Sequence, residues 1–233
     1  MKLPSTKQLS QSDKLNGLRA AVLGANDGIV STSGLIFGVA GATNNKAAIF
    51  TAGLAGLVAG AISMGLGEYV SVSTQRDTER AFIEREKELL NKDPEGQLQD
   101  LAAFYENKGV STATAMQFAK ELTEGDPIKA HLEAELKLDE EDLTNPMTAA
   151  VSSFFSFTAG ALIPLLAAVA ASDAMRIKVT LIAVVIGLFA TGYYSAAIGG
   201  ANKPAAVRRV IIGGIVAMAV TYAIGRLFGT AIS

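Results

Sequence analysis

Apolar and polar positions alternate along this chain in blocks, and five apolar blocks are each long enough to cross a bilayer as a helix. The first runs over roughly Gly17–Ala42 and the second over Ala47–Ser73, with only the turn Thr43-Asn44-Asn45-Lys46 between them. The third covers Met147–Ala171, where Gly160 and Pro164 predict a local bend. The fourth covers Ile177–Ile198 and the fifth Ala205–Thr230, with Pro204 marking the break between them.

Between the second and third blocks the pattern becomes amphipathic and helical, with no strand alternation. Gln75 to about Asn91 prolongs the second span, and Asp93-Pro94 then restarts a helix as N-cap and first residue. Leu98, Leu101, Ala102 and Tyr105 have core spacing on that helix, and Gly109 closes it. Ser111 is placed to cap the next helix, with Ala115, Phe118, Ala119 and Leu122 facing inward. Asp126-Pro127 opens a last helix bearing Leu132 and Leu136, and Asn145-Pro146 begins the third span. The predicted fold is an all-α membrane protein. It has a polar tail (1–16), spans one and two (17–73), a small acidic helical domain (74–145), and spans three to five (146–233).

Composition sharpens this partition. Half of the 233 residues are hydrophobic and the mean hydropathy is +0.34, too apolar for an ordinary soluble domain. Of the 22 acidic residues, all but Asp13, Asp27, Glu68 and Asp173 fall between Gln75 and Asn145, so the net charge of −2 averages two unlike regions. The absence of cysteine excludes disulfides, thiolate metal sites and thiol catalysis. No cleavable signal is evident in the polar start. Short-loop positive charge puts Lys2, Lys7, Lys14, Arg19, Lys203, Arg208 and Arg209 on one side, against Lys46, Arg176 and Lys178 on the other. This orientation makes the N-terminus and the insert cytosolic. Gly34-xxx-Gly38, Gly56-xxx-Gly60 and Gly225-xxx-Gly229 have the spacing for close helix approach, which serves ordinary bundle packing and suggests a homodimer. Arg226 snorkels to the interface.

Two intramembrane features carry candidate chemistry. Asp27 lies in Gly24-Ala25-Asn26-Asp27-Gly28, inside the first span, where a carboxylate costs about 2.5–3.5 kcal/mol on insertion scales. Ser31 follows one turn on. In the second span Ala52, Gly56, Gly60, Met64 and Glu68 recur every fourth residue and form one stripe. Oxygen and thioether groups suit a cation path, which needs weak, exchangeable ligands. The plain alternatives are a snorkelling or capped Glu68 and a gap-filling Met64. In the insert, Glu79 and Glu86 share a helix face, Glu84 and Glu88 stand among Arg85 and Lys87, and His131 and Glu135 have an i,i+4 spacing that can chelate a metal. The alternative is a solvated acidic face with intrahelical ion pairs. Hydrolase, nucleotide-loop and dinucleotide motifs are absent, which argues against an enzyme and against an ATP-driven pump.

At these residues the chain resembles a known family. Arg19-Ala-Ala-Val-Leu-Gly-Ala-Asn-Asp-Gly-Ile-Val-Ser-Thr32 and Ala61-Ile-Ser-Met-Gly-Leu-Gly-Glu-Tyr-Val-Ser-Val72 are similar to the vacuolar iron transporter family. The similarity is greater to its bacterial and nodulin-like plant members than to its vacuolar ones, and it covers nearly the whole chain after the tail. It implies a homodimer that exports ferrous iron, and often manganese, from the cytosol in exchange for protons. Asp27 would then be a path ligand and proton carrier, and Met64 a soft ligand. The resemblance also implies a cytosolic domain that collects metal, matching Glu86, Asp100 and Glu135 to its glutamate pattern, with His131 where a Met often stands. Ala20 and Gly56 replace acids of the vacuolar members, leaving Glu68 as a substitute carboxylate. Leu89 and Gln97 replace expected cytosolic glutamates, which implies a reduced site.

The expected function is therefore a divalent iron or manganese exporter coupled to protons, with Fe2+ or Mn2+ as cargo and no prosthetic group. Its expected metal residues are Asp27, Met64 and Glu68 in the membrane and Glu79, Glu86, Asp100, His131 and Glu135 in the insert. The bilayer and a second copy of the chain are its expected partners, with no nucleic acid, and a bacterial cytoplasmic membrane is its expected location. The alternatives are a membrane metal sensor or docking protein that transports nothing, and an exporter of another divalent cation.

Overall fold

The computed structural model describes the backbone of residues 11–136 and 145–232, with side chains over 17–134 and 145–229. In order, the helices are α1 (Gln11–Ala42), α2 (Lys46–Lys92), α3 (Pro94–Glu106), α4 (Thr112–Gly125) and α5 (Pro127–His131). A π-helical turn, Leu132–Leu136, follows, and then α6 (Pro146–Ala170), α7 (Arg176–Ile198) and α8 (Lys203–Ile232). No strand occurs among the described residues. Five of these helices, α1, α2, α6, α7 and α8, are long and apolar enough to cross a membrane. The chain divides into two compact units. One draws on Ser71–Asn145 and the other on Leu15–Val70 with Pro146–Ser233. Helix α2 contributes to both.

The bundle unit has an inner seam of Ile29, Ile36, Phe157, Val184, Leu188 and Met218, all buried. Its outer faces carry exposed Phe155, Ile186 and Leu227, the distribution expected when the surroundings are lipid rather than water. Packing inside is set by backbone contact. A Cβ on Gly28 would strike the Phe157 carbonyl oxygen and come within 2.9 Å of the Ala161 nitrogen, while one on Gly160 would strike the Ala25 carbonyl. Helices α1 and α6 thus touch backbone to backbone, where no larger residue fits. The same argument joins α1 to α8, since a Cβ on Gly225 would strike the Gly38 carbonyl. Two of the three small-residue motifs, Gly34-xxx-Gly38 and Gly225-xxx-Gly229, are therefore spent on one crossing within the chain. Helix α6 runs unbroken through the buried Pro164.

Arg176, counted by sequence only as loop charge, is buried at 3% exposure. Its Nε donates to the Ala168 carbonyl at 3.2 Å and its Nη1 to the Asn44 carbonyl at 3.4 Å, while Nη2 pairs with Asp173. One side chain thereby ties the α1–α2 turn, the end of α6 and the start of α7, supplying donors to carbonyls that helix ends leave unpaired.

The second unit is built by capping and a small apolar core. Asp93 accepts from the Gly96 amide at 2.9 Å and Asp126 from the Lys129 amide at 3.0 Å, so both Asp-Pro starts act as N-caps. Gly109 takes a φ of +93°, the left-handed backbone that ends α3. Ser111 departs from expectation: it makes no side-chain cap bond, and its hydroxyl pairs with that of Thr114 at 2.9 Å. Leu101, Ala102, Ala115 and Ala119 are buried as their spacing predicts. Phe118 is instead 44% exposed, its ring edge-on to Tyr105 at 4.9 Å. Leu132 is buried, whereas the side chain of Leu136 lies outside the described residues.

Candidate functional site

Helices α1 and α2 form an antiparallel hairpin whose turn is residues 43–45. Counting from that turn, Asp27 lies 15 residues up α1 (42 − 27) and Gly60 lies 14 up α2 (60 − 46), so they share a depth. Glu68 lies 22 residues up α2 (68 − 46), about 12 Å farther along the hairpin than Gly60. Met64 falls between them.

The facing surfaces border an open-sided cavity of about 390 Å³ that Asp27, Met64 and Glu68 line together. The space comes from Gly56 and Gly60, beside which the Leu35 side chain and the Phe157 ring form apolar walls. Ser31, Thr32 and Ser63 add hydroxyls to the lining. The Ser31 hydroxyl donates to the Asp27 carbonyl at 2.6 Å, which leaves the Asp27 carboxylate to the cavity. The Thr32 hydroxyl is buried and makes no hydrogen bond among the described residues. A half-buried carboxylate at mid-helix, a thioether one level on, a second carboxylate at the far end and hydroxyls between them make a polar seam through an apolar wall. Such a seam offers oxygen and soft sulfur donors without closing a cage around a cation.

Charge spacing did not expose one member of this site. Arg19 Nη2 lies 3.5 Å from Glu68 Oε1, with the Glu68 side chain 12% exposed and that of Arg19 62% exposed. The signal was present in the hairpin arithmetic, because Arg19 stands 23 residues from the turn (42 − 19) and Glu68 stands 22. Opposite charges at one depth of an antiparallel pair meet. The mostly exposed guanidinium makes this a weak, displaceable ion pair.

In the insert unit the structure brings together two of the five expected metal residues. His131 Nδ1 lies 3.2 Å from Glu86 Oε1, and both side chains are buried. Glu79 is half-buried and its Oε1 accepts from Gln75 Nε2 at 2.8 Å. Asp100 is exposed. Glu135 falls in the π-helical turn, and its side chain lies outside the described residues. Glu84 and Glu88 pair with Lys87 at 3.2 Å and Lys92 at 3.4 Å. Among the described residues no three His, Asp or Glu side chains gather as a metal site.

A five-helix membrane bundle with a carboxylate-lined polar seam defines a membrane transport protein more readily than an enzyme. Residues 18–226 match the model of the VIT family. The vacuolar iron transporter of Acanthamoeba castellanii is 37% identical over 222 residues, covering 91% of this chain and 79% of that protein. Vacuolar iron transporter homolog 2 of Arabidopsis thaliana is 35% identical, covering 94% of this chain and 87% of its own length. Homolog 1 of Oryza sativa subsp. japonica is 39% identical, covering 91% and 74% respectively. The chain belongs to the VIT family. These relatives bear the names of transporters, and this chain is a membrane transport protein rather than an enzyme.

Proposed function

We propose that this protein moves divalent iron, manganese or both out of the cytosol by proton antiport, as a homodimer, with the insert collecting metal on the cytosolic side. The observation that carries this reading is the shared cavity of Asp27, Met64 and Glu68. Ferrous and manganous ions are borderline to hard cations that accept carboxylate oxygen, and a thioether adds preference for the softer of them. A carboxylate at mid-bundle also serves proton exchange, since its charge must be neutralised either by a cation or by a proton. The iron named in the relatives supports the cargo. The loop charges support an inside N-terminus and insert, and a bacterial cytoplasmic membrane is the proposed location. Within the insert, Glu86 and His131 are the proposed nucleus of the metal-collecting site, with Glu79, Asp100 and Glu135 as further ligands.

The test is metal uptake into vesicles reconstituted with the full chain, under an imposed pH gradient, with iron, manganese, zinc and cobalt in competition. Uptake should require the gradient and fall at least about tenfold in Asp27→Asn. Undiminished flux in that variant overturns the role of Asp27. Metal binding without any flux favours a sensor or docking protein, and flux of zinc or cobalt alone favours an exporter of another cation.

A further inference from the structure

A second cavity in the bundle unit adjoins the transport seam, sharing Leu23 with it. It measures about 570 Å³ and is walled by three helices, α1, α7 and α8. Val22, Leu23 and Val210 make its apolar side, Ser195 adds a hydroxyl, and Arg19 and Arg209 also line it. Arg209 lies in the second turn of α8, and Ser195 near the end of α7, so the polar groups gather where these helices terminate. No acidic side chain lines the cavity. Arg209 is exposed and makes no ion pair among the described residues.

We propose that this groove binds an anionic phospholipid, with the phosphate held between Arg19 and Arg209 and an acyl chain along Val22, Leu23 and Val210. The occupant follows from the chemistry. Arg209 has no ion-pair partner among the described residues, and Arg19 has only its long, mostly exposed pair with Glu68 at 3.5 Å, so the two guanidiniums suit a phosphate, which each can meet with paired donors. The apolar wall behind them lies within a membrane bundle, where the abundant molecule joining a phosphate to a hydrocarbon chain is a lipid. Basic pockets between membrane helices recognise anionic headgroups in this way. A neighbouring groove of about 560 Å³, between α7 and α8, carries Arg208 and Lys203. It has only two helical walls, and its Lys203 amine already sits over the Tyr193 ring at 4.9 Å. It serves as the internal control.

The experiment is a competition on the purified full chain between phosphatidylglycerol and phosphatidylcholine of identical acyl chains, with retained lipid read by native mass spectrometry. The wild type should retain phosphatidylglycerol preferentially. Arg209→Gln should lower that preference roughly fivefold, the scale of one basic residue at an anionic surface, while Arg208→Gln keeps it. Absence of preference in the wild type overturns the proposal. So does an equal loss in both variants, which would report general surface charge, or displacement of the lipid by free glycerol phosphate, which would report a phosphate site. The readout does not depend on transport, so it stands or falls separately from the proposed cargo.

Discussion

The bundle and the insert handle charge in opposite ways. In the bundle the charged groups within and at the ends of the inner helices have structural consequences: Asp27 and Glu68 open onto one cavity, Arg19 meets Glu68, and Arg176 pins three segments. In the insert most described carboxylates stand in solvent, Glu84 and Glu88 pair with a lysine one turn away, and Glu86 alone is a buried acid among the described residues. The difference follows from what surrounds each unit. Hydrocarbon makes an unneeded charge expensive, so few stand within the spans. Water makes a charge cheap, so the count of acids in the insert says little, and burial is what separates Glu86 from Glu84 and Glu88.

Substitutions can break this comparison. The largest effect is expected from Gly28→Ala, because the added methyl meets α6 backbone rather than a movable side chain. A loss of about 3 kcal/mol or more is expected, seen as a collapse in the yield of monodisperse protein. Gly125→Ala, in open space at the end of α4, should leave that yield unchanged; equal damage from both would refute the backbone-contact account. Arg176→Gln should cost about 1.5–3 kcal/mol by unpairing the Ala168 carbonyl near the end of α6 and the Asn44 carbonyl in the α1–α2 turn. A thermal midpoint matching the wild type would show that Arg176 is no lock.

Smaller effects belong to the insert. His131→Ala should destabilise it by about 1–3 kcal/mol through the loss of a buried polar contact to Glu86. Hydrogen exchange should then quicken in α5 and around Glu86 while α7 keeps its protection; uniform quickening would show that the two units unfold together. Glu88→Gln should change stability by less than about 0.5 kcal/mol, because its pair with Lys92 is exposed. A larger shift in melting temperature would give that surface a role the present structure does not.

Much of the fold was legible in the hydropathy pattern. The five spans, the prolongation of α2 past Ser73 and both Asp-Pro caps rest on local chemistry that needs no partner to act. The departures arose where two segments meet. The glycine motifs pointed to close packing without saying against what, and α1 and α8 of the same chain supply the answer. Phe118 kept helical core spacing but sits at the rim, because the small residues Ala115 and Ala119 fill the interior. The imidazole of His131 meets Glu86 from α2, a contact across two segments that spacing along one helix does not encode, whereas the side chain of Glu135 lies outside the described residues.

For the candidate site, the sequence by itself determined that Asp27 lies within an apolar helix and that Gly56, Gly60, Met64 and Glu68 share one face of the next. Periodicity along a single helix is enough for both statements. Only the tertiary structure decided that these faces open onto one cavity, that the Phe157 ring walls it, and that Arg19 lies at Glu68. A cavity is what several helices leave unfilled, so it is a property of their packing and not of any one of them.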